Sequence, residues 1–326
     1  MKLNIVRQPL IVAILLLLVA TLCGFARFNL LPSSSEMIAS SHFFLGQYVH
    51  GLQVAWPQLS VIACVVLTLL TGLTLGRMGA RFALYANVSS LTLSLYGILA
   101  CNLFIGQDYL IGSIVAFLLA RGLSNFCNSY RNGYTFDKLF RGAVYIGLLP
   151  LFSPETLPLL LLVPWGVLIF KRTIREVVVA FAGLSVALLA TCYLSWGSAV
   201  GFFTPLSTLF HAFITHSGLH LLQGISPVLL AFLGLVLFLT ICAMLFFFGD
   251  HYSLGSKARA VLTFDLGVLL ICGTLFFVPC STATLFAWIA VPVSLLLPFF
   301  FVRIRANFSF SLYLTLLLLC IARFWY

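Results

Sequence analysis

The chain has 326 residues, of which 62% are hydrophobic and 7% charged, and its mean hydropathy is +1.17. Soluble domains carry roughly a quarter charged residues, so this chain cannot clothe itself in a polar surface, and a bilayer must be its solvent. Unbroken runs such as LIVAILLLLVATL (10–22) exclude an outer-membrane barrel, whose strands alternate over about ten residues. They require helices, which satisfy their own backbone in lipid.

Lys2 and Arg7 precede the first apolar run, and CGFA follows it. That layout resembles a signal peptide cleaved after Ala26, but in so apolar a chain the run is expected to stay as a first helix. Hydropathy places about eleven spans, at 9–27, 58–76, 83–104, 109–123, 142–153, 155–170, 176–196, 228–248, 261–280, 284–302 and 308–325. The fifth and sixth are short and form either two crossings or a re-entrant hairpin; parity is the same. The expected fold class is therefore an all-α polytopic transmembrane bundle, one integral domain over 1–326.

Its orientation follows from charge. With the N-terminus cytoplasmic and the C-terminus periplasmic, fifteen of the seventeen Lys and Arg residues fall on cytoplasmic segments, leaving only Arg27 and Arg323 outside. This is the positive-inside pattern. It assigns the net charge of +10 to the anionic lipid surface rather than to nucleic acid. The expected location is a bacterial inner membrane.

Two outer segments are long. In the first, about 33–52, Met37, Ile38, Phe44, Leu45, Tyr48 and Leu52 recur at helical spacing. In the second, about 204–222, Thr204-Pro205 reads as a helix start, and Leu206, Leu209, Phe210 and Phe213 form an apolar face. Both are expected to lie in the outer interface, and they hold five of the six histidines. The longest inner loop, 121–142, mixes basic and aromatic residues.

Only seven acidic residues exist. Glu36 stands three residues after Ser33, the capping-box spacing. Asp108 and Glu155 each precede an apolar helix, where the helix dipole favours a carboxylate. Each is thus either a helix-start residue or, on the outer side, a base or metal ligand. Asp265 lies within the ninth span near its inner end, so it is either an intramembrane functional group or a side chain snorkelling to the cytoplasmic face. Asp137, Glu176 and Asp250 sit among basic residues and read as their charge partners. His216 and His220 are four apart, but Gly218 interrupts them and no carboxylate is adjacent, so no metal site is assigned. The nine cysteines form no C-x-x-C pair and read as small packing residues. No Walker loop, dinucleotide fingerprint or H-E-x-x-H occurs.

From Val115 to Leu194 the chain resembles an uncharacterised multi-pass inner-membrane family of Bacteroidetes. The matching residues are Arg121, Lys138, Phe140, Gly142, Ile146, Gly147, Leu151, Phe152, Arg172, Arg175 and Glu176. More loosely, the inside N-terminus and the long first outer loop with a helix are similar to GT-C superfamily glycosyltransferases. That resemblance implies action on, or assistance with, polyprenyl-linked sugars for the cell envelope. It makes Glu36 the base or metal ligand, with Glu155 a second carboxylate and His42, His50 and His216 around an outer cleft. Arg131, Lys138 and Arg141 would hold lipid phosphate at the inner face. No cofactor is identified beyond room for a divalent metal. The partners implied are the lipid bilayer, polyprenyl-phosphate lipids and other envelope proteins. A non-catalytic scaffold of an envelope complex is the alternative reading, and a transporter built on Asp265 the third.

Overall fold

A computed structural model describes residues 8–28, 44–85, 90–103, 108–128, 135–197, 201–215, 226–278, 282 and 284–325. In chain order the helices are α1 (Leu10–Phe28), α2 (Phe44–Ala55), α3 (Pro57–Arg81), α4 (Leu91–Leu103), α5 (Tyr109–Asn128), α6 (Phe136–Phe152), a 3-10 helix (Pro154–Leu161), α7 (Leu162–Ile169), α8 (Ile174–Gly197), α9 (Thr204–Thr215), α10 (Pro227–Gly249), α11 (Ser256–Leu275), α12 (Leu285–Arg303) and α13 (Ala306–Trp325). Six of these, α3, α5, α8, α10, α11 and α12, are long and apolar enough to cross a membrane, and four further apolar helical stretches are shorter. The chain is an all-helical, multi-pass membrane protein.

Each apolar run expected from hydropathy has a helical counterpart, with its start clearly shifted in three of them; the fifth was expected from 142, whereas α6 begins at Phe136. The third run was expected from 83, but α4 begins only at Leu91. Before it the chain makes a turn in which Ala83 takes a positive φ of 46°. The ninth was expected from 261, whereas α11 begins at Ser256. Serine, lysine and arginine lower a hydropathy average but are tolerated in the first turns of a helix that rises from the membrane surface.

At the centre stands α12, buried along almost its whole length, with Trp288 fully enclosed. It packs against α3, α4, α5, α10 and α11. Two prolines, Pro292 and Pro298, lie inside it. Each lacks an N–H, so the carbonyl four residues earlier loses its helical donor. Helix α4 is likewise enclosed, between α1, α3, α12 and α13. Its 13 residues reach about 20 Å, short of the ~30 Å hydrocarbon core. The outer helices bury one side only: α10 encloses Phe232, Val236 and Leu239 and turns Leu237, Phe238 and Leu245 outward.

The order of contacts fixes helix direction. Gly147 of α6 meets Leu184 and Ala187 of α8, while Gly183 of α8 meets Phe140 and Ala143 of α6. Contact positions rise together on both helices, so α6 and α8 are parallel, and the 3-10 helix with α7 is the return stroke between them. That return has only 16 residues, eight in each form. Eight residues rise about 16 Å as a 3-10 helix and about 12 Å as an α-helix. The sum of about 28 Å approaches the hydrocarbon thickness, where an α-helix throughout would reach about 24 Å. Pro154 opens the 3-10 helix and Pro158 lies inside it.

The bundle has two chemically distinct ends. At one, Arg303 closing α12 meets Asp250 after α10 at 2.6 Å, Arg141 meets Asp137 at 2.9 Å in the first turns of α6, and Arg172 meets Glu176 at 3.3 Å where α8 starts. The three acids expected to be local charge partners are each paired with arginine. Thr173 and Glu176 also form a capping box at α8, with Thr173 N–H donating to Glu176 Oε2 at 3.1 Å. At the other end lie the short helices α2 and α9.

Both short helices turn part of their apolar face away from the rest of the protein. In α2, Tyr48 and Leu52 are exposed, whereas Gln53 is buried and His50 half-buried. In α9, Leu209 is buried beside Leu151, but Phe210 is exposed. Apolar side chains at a membrane surface gain as much from lipid as from protein. In α2 the inward positions Gln53 and His50 have polar partners, whereas in α9 the inward position is the apolar Leu209.

Candidate functional site

The end that carries α2 and α9 gathers polar side chains from segments far apart in sequence. Helix α6 stops at Phe152, Ser153 adopts an extended conformation, and Pro154 opens the 3-10 helix. This places Glu155 in its first turn, 1% exposed, between buried Ser153 and Thr156. The carboxylate reaches the α11–α12 connection, where its Oε2 accepts the N–H of Thr282 at 2.9 Å. The hydroxyls of Thr282 and Thr284 are hydrogen-bonded to each other at 2.8 Å. Thr284 immediately precedes α12, so the positive end of that helix dipole faces the same region. Glu155 thus does sit at a helix start, yet its hydrogen bond goes to a connection 127 residues away.

Asp108 has a second partner of this kind. It stands before α5, and its Oδ1 lies 2.8 Å from His50 Nδ1 of α2. Next to it, Gln53 Oε1 accepts the N–H of Leu110 at 3.3 Å, and Ser60 at the start of α3 bonds the Tyr109 hydroxyl. These contacts bind α2 to the starts of α3 and α5. From the sequence, Asp108 was either a helix-start residue or a base or metal ligand, and His50 was grouped with Glu36. Nothing in the spacing announced the pair, which is 58 residues apart.

Of the other expected site residues, Glu36, His42, Arg131 and His216 lie outside the described residues. Lys138 is half-buried and Arg141 exposed in the first turns of α6, at the arginine-paired end. The 17 residues of α6 separate them from Glu155 by about 25 Å. The structure therefore does not bring the basic residues and the outer carboxylate into one cleft.

Asp265 differs from its expected position. It is the tenth of the 20 residues of α11, at mid-helix rather than near the inner end, and it is 2% exposed. Mid-helix burial excludes snorkelling to the surface. His211 on α9 is exposed. Cys64, Cys127, Cys192 and Cys272 are buried free thiols, and Cys242 is a half-buried one. Among the described residues no group of three or more His, Cys, Asp or Glu side chains is placed to hold a metal ion.

Comparison with protein-family models, with curated proteins and with solved structures finds no match to this chain.

Proposed function

We propose that this membrane protein handles a polyprenyl-linked sugar at the bundle end formed by α2, α9 and the 3-10 helix, with Glu155 as the carboxylate that engages the sugar. The reading rests above all on one observation: a carboxylate 1% exposed at the broken end of a membrane helix. Around it, Ser153, Thr156, Thr282 and Thr284 supply hydroxyls. Carboxylate with hydroxyls is a donor and acceptor set suited to a polyol, and a buried carboxylate is the usual base for activating a sugar hydroxyl. Exposed Trp196 and Phe203, beside α9, offer apolar surface on which a polyprenyl tail can lie. In this reading the chain crosses a bacterial inner membrane about eleven times, its N-terminus is cytoplasmic, and the Glu155 end faces outward. Glu155 then takes the role that the GT-C resemblance gave to Glu36, with His50 at the rim.

The test is lipid analysis of the protein purified in mild detergent, together with Glu155→Gln. A polyprenyl-linked glycan should copurify with the wild-type chain and be depleted in the variant. Absence of such a lipid, with full growth complementation by Glu155→Gln, would overturn the reading.

A further inference from the structure

Asp265 belongs to no part of the site just described. Both of its carboxylate oxygens are buried without a hydrogen-bond partner, halfway along a helix that crosses the membrane. An ionised carboxylate in that position would forgo hydration with no compensating bond, at a cost far above that of burying the neutral acid.

Among the described residues the surroundings offer no counter-charge. The groups within the carboxylate's field are Tyr85 from the α3–α4 turn, Cys127 from α5 and Cys272 from α11 itself. Two of them have other roles or none that help: the Tyr85 hydroxyl donates to Leu295 O of α12 at 2.7 Å, and Cys127 is a buried thiol. Arg172, whose field reaches Cys127, is engaged by Glu176. Of the elements packed on α11, α7 brings Trp165 against Gly267, the 3-10 helix carries Glu155, which accepts from Thr282, and α12 brings no titratable group before Arg303. Beside α11 runs α12, in which Pro292 and Pro298 leave the carbonyls of Trp288 and Ser294 without helical donors. Prolines at such sites are where membrane helices bend.

We propose that Asp265 is a proton-exchange site: the carboxyl is neutral in the packed arrangement described here and releases its proton when α11 and α12 part to admit water. The ligand is the proton itself, taken from water on one side and returned to it. This function is independent of any role for Glu155.

Infrared difference spectroscopy on the full-length protein in lipid nanodiscs, titrated from acid to alkaline buffer, tests it. A protonated-carboxyl band should be present, shift on 13C-labelling of aspartate, and disappear on alkaline titration. The same band should be missing in Asp265→Asn. Aspartate labelling keeps the measurement decisive if that variant does not fold, because the other described aspartates are engaged: Asp137 and Asp250 in ion pairs with arginine, and Asp108 against His50. Absence of an aspartate-derived band would overturn the proposal, as would a band unchanged by pH, the signature of a permanently neutral structural acid.

Discussion

Glu155 and Thr282 lie 127 residues apart, and their 2.9 Å hydrogen bond ties the return stroke after α6 to the entry of α12. A side chain in the first turn of one helix thereby satisfies a backbone donor in front of another. Glu155→Ala leaves the Thr282 N–H without this acceptor, and a buried donor without a partner costs about 1–3 kcal/mol. Glu155→Gln keeps an acceptor oxygen and should remain within about 1 kcal/mol of wild type. Thermal unfolding in detergent measures both. Under the proposed function, Gln should lose activity while keeping the fold.

Close packing of α6 on α8 depends on two glycines. A Cβ on Gly147 would come 2.9 Å from the Leu184 carbonyl oxygen, and one on Gly183 would come 2.7 Å from that of Phe140. Neither neighbour is a side chain that can swing away. Gly147→Ala and Gly183→Ala should each destabilise by about 1–3 kcal/mol through overpacking. Gly51→Ala, with open space at its Cβ, is the control and should leave the melting temperature unchanged.

Glu176 receives Arg172 at 3.3 Å as well as the N–H and hydroxyl of Thr173, each at 3.1 Å. Its side chain and that of Arg172 are 6% and 7% exposed. Glu176→Ala removes the acceptor of Thr173 and the carboxylate that pairs with Arg172, so a loss of up to about 3–5 kcal/mol is expected. Low expression or aggregation of Glu176→Ala, corrected in part by Glu176→Gln, is the outcome to look for. A neutral effect of alanine would show that the pair contributes nothing to the fold.

Orientation has a direct check. Single cysteines replacing Tyr48 and Lys257, both exposed and at opposite ends, should react in intact cells with an impermeant maleimide at position 48 only. A reporter fused after Tyr326 should read as periplasmic. Labelling at 257 instead would invert the map and move the Glu155 site to the cytoplasm.

Much of the fold was legible in residue order. A helix in lipid must be apolar over most of its length, so each long run announced itself, and the acids among arginines foretold the pairs at Asp137, Glu176 and Asp250. The short helices were legible as helices, but the polar contacts that tie α2 to α5 were not. Tyr48, Leu52 and Phe210 point away from the protein because lipid rewards an apolar side chain as well as a core does. For the same reason hydropathy could not distinguish α12, enclosed on all sides, from α10, which is largely open to lipid.

By itself, then, the sequence determined the solvent, the helical class and the charge asymmetry of this protein, all of which depend on composition along the chain. Tertiary structure alone decided that Glu155 meets Thr282, that His50 meets Asp108, and that Asp265 stands at mid-helix with no hydrogen-bond partner among the described residues. Those are matters of which distant segments pack together. In a bilayer that choice is made by close van der Waals fit and a few hydrogen bonds, neither of which leaves a periodic trace in the order of residues.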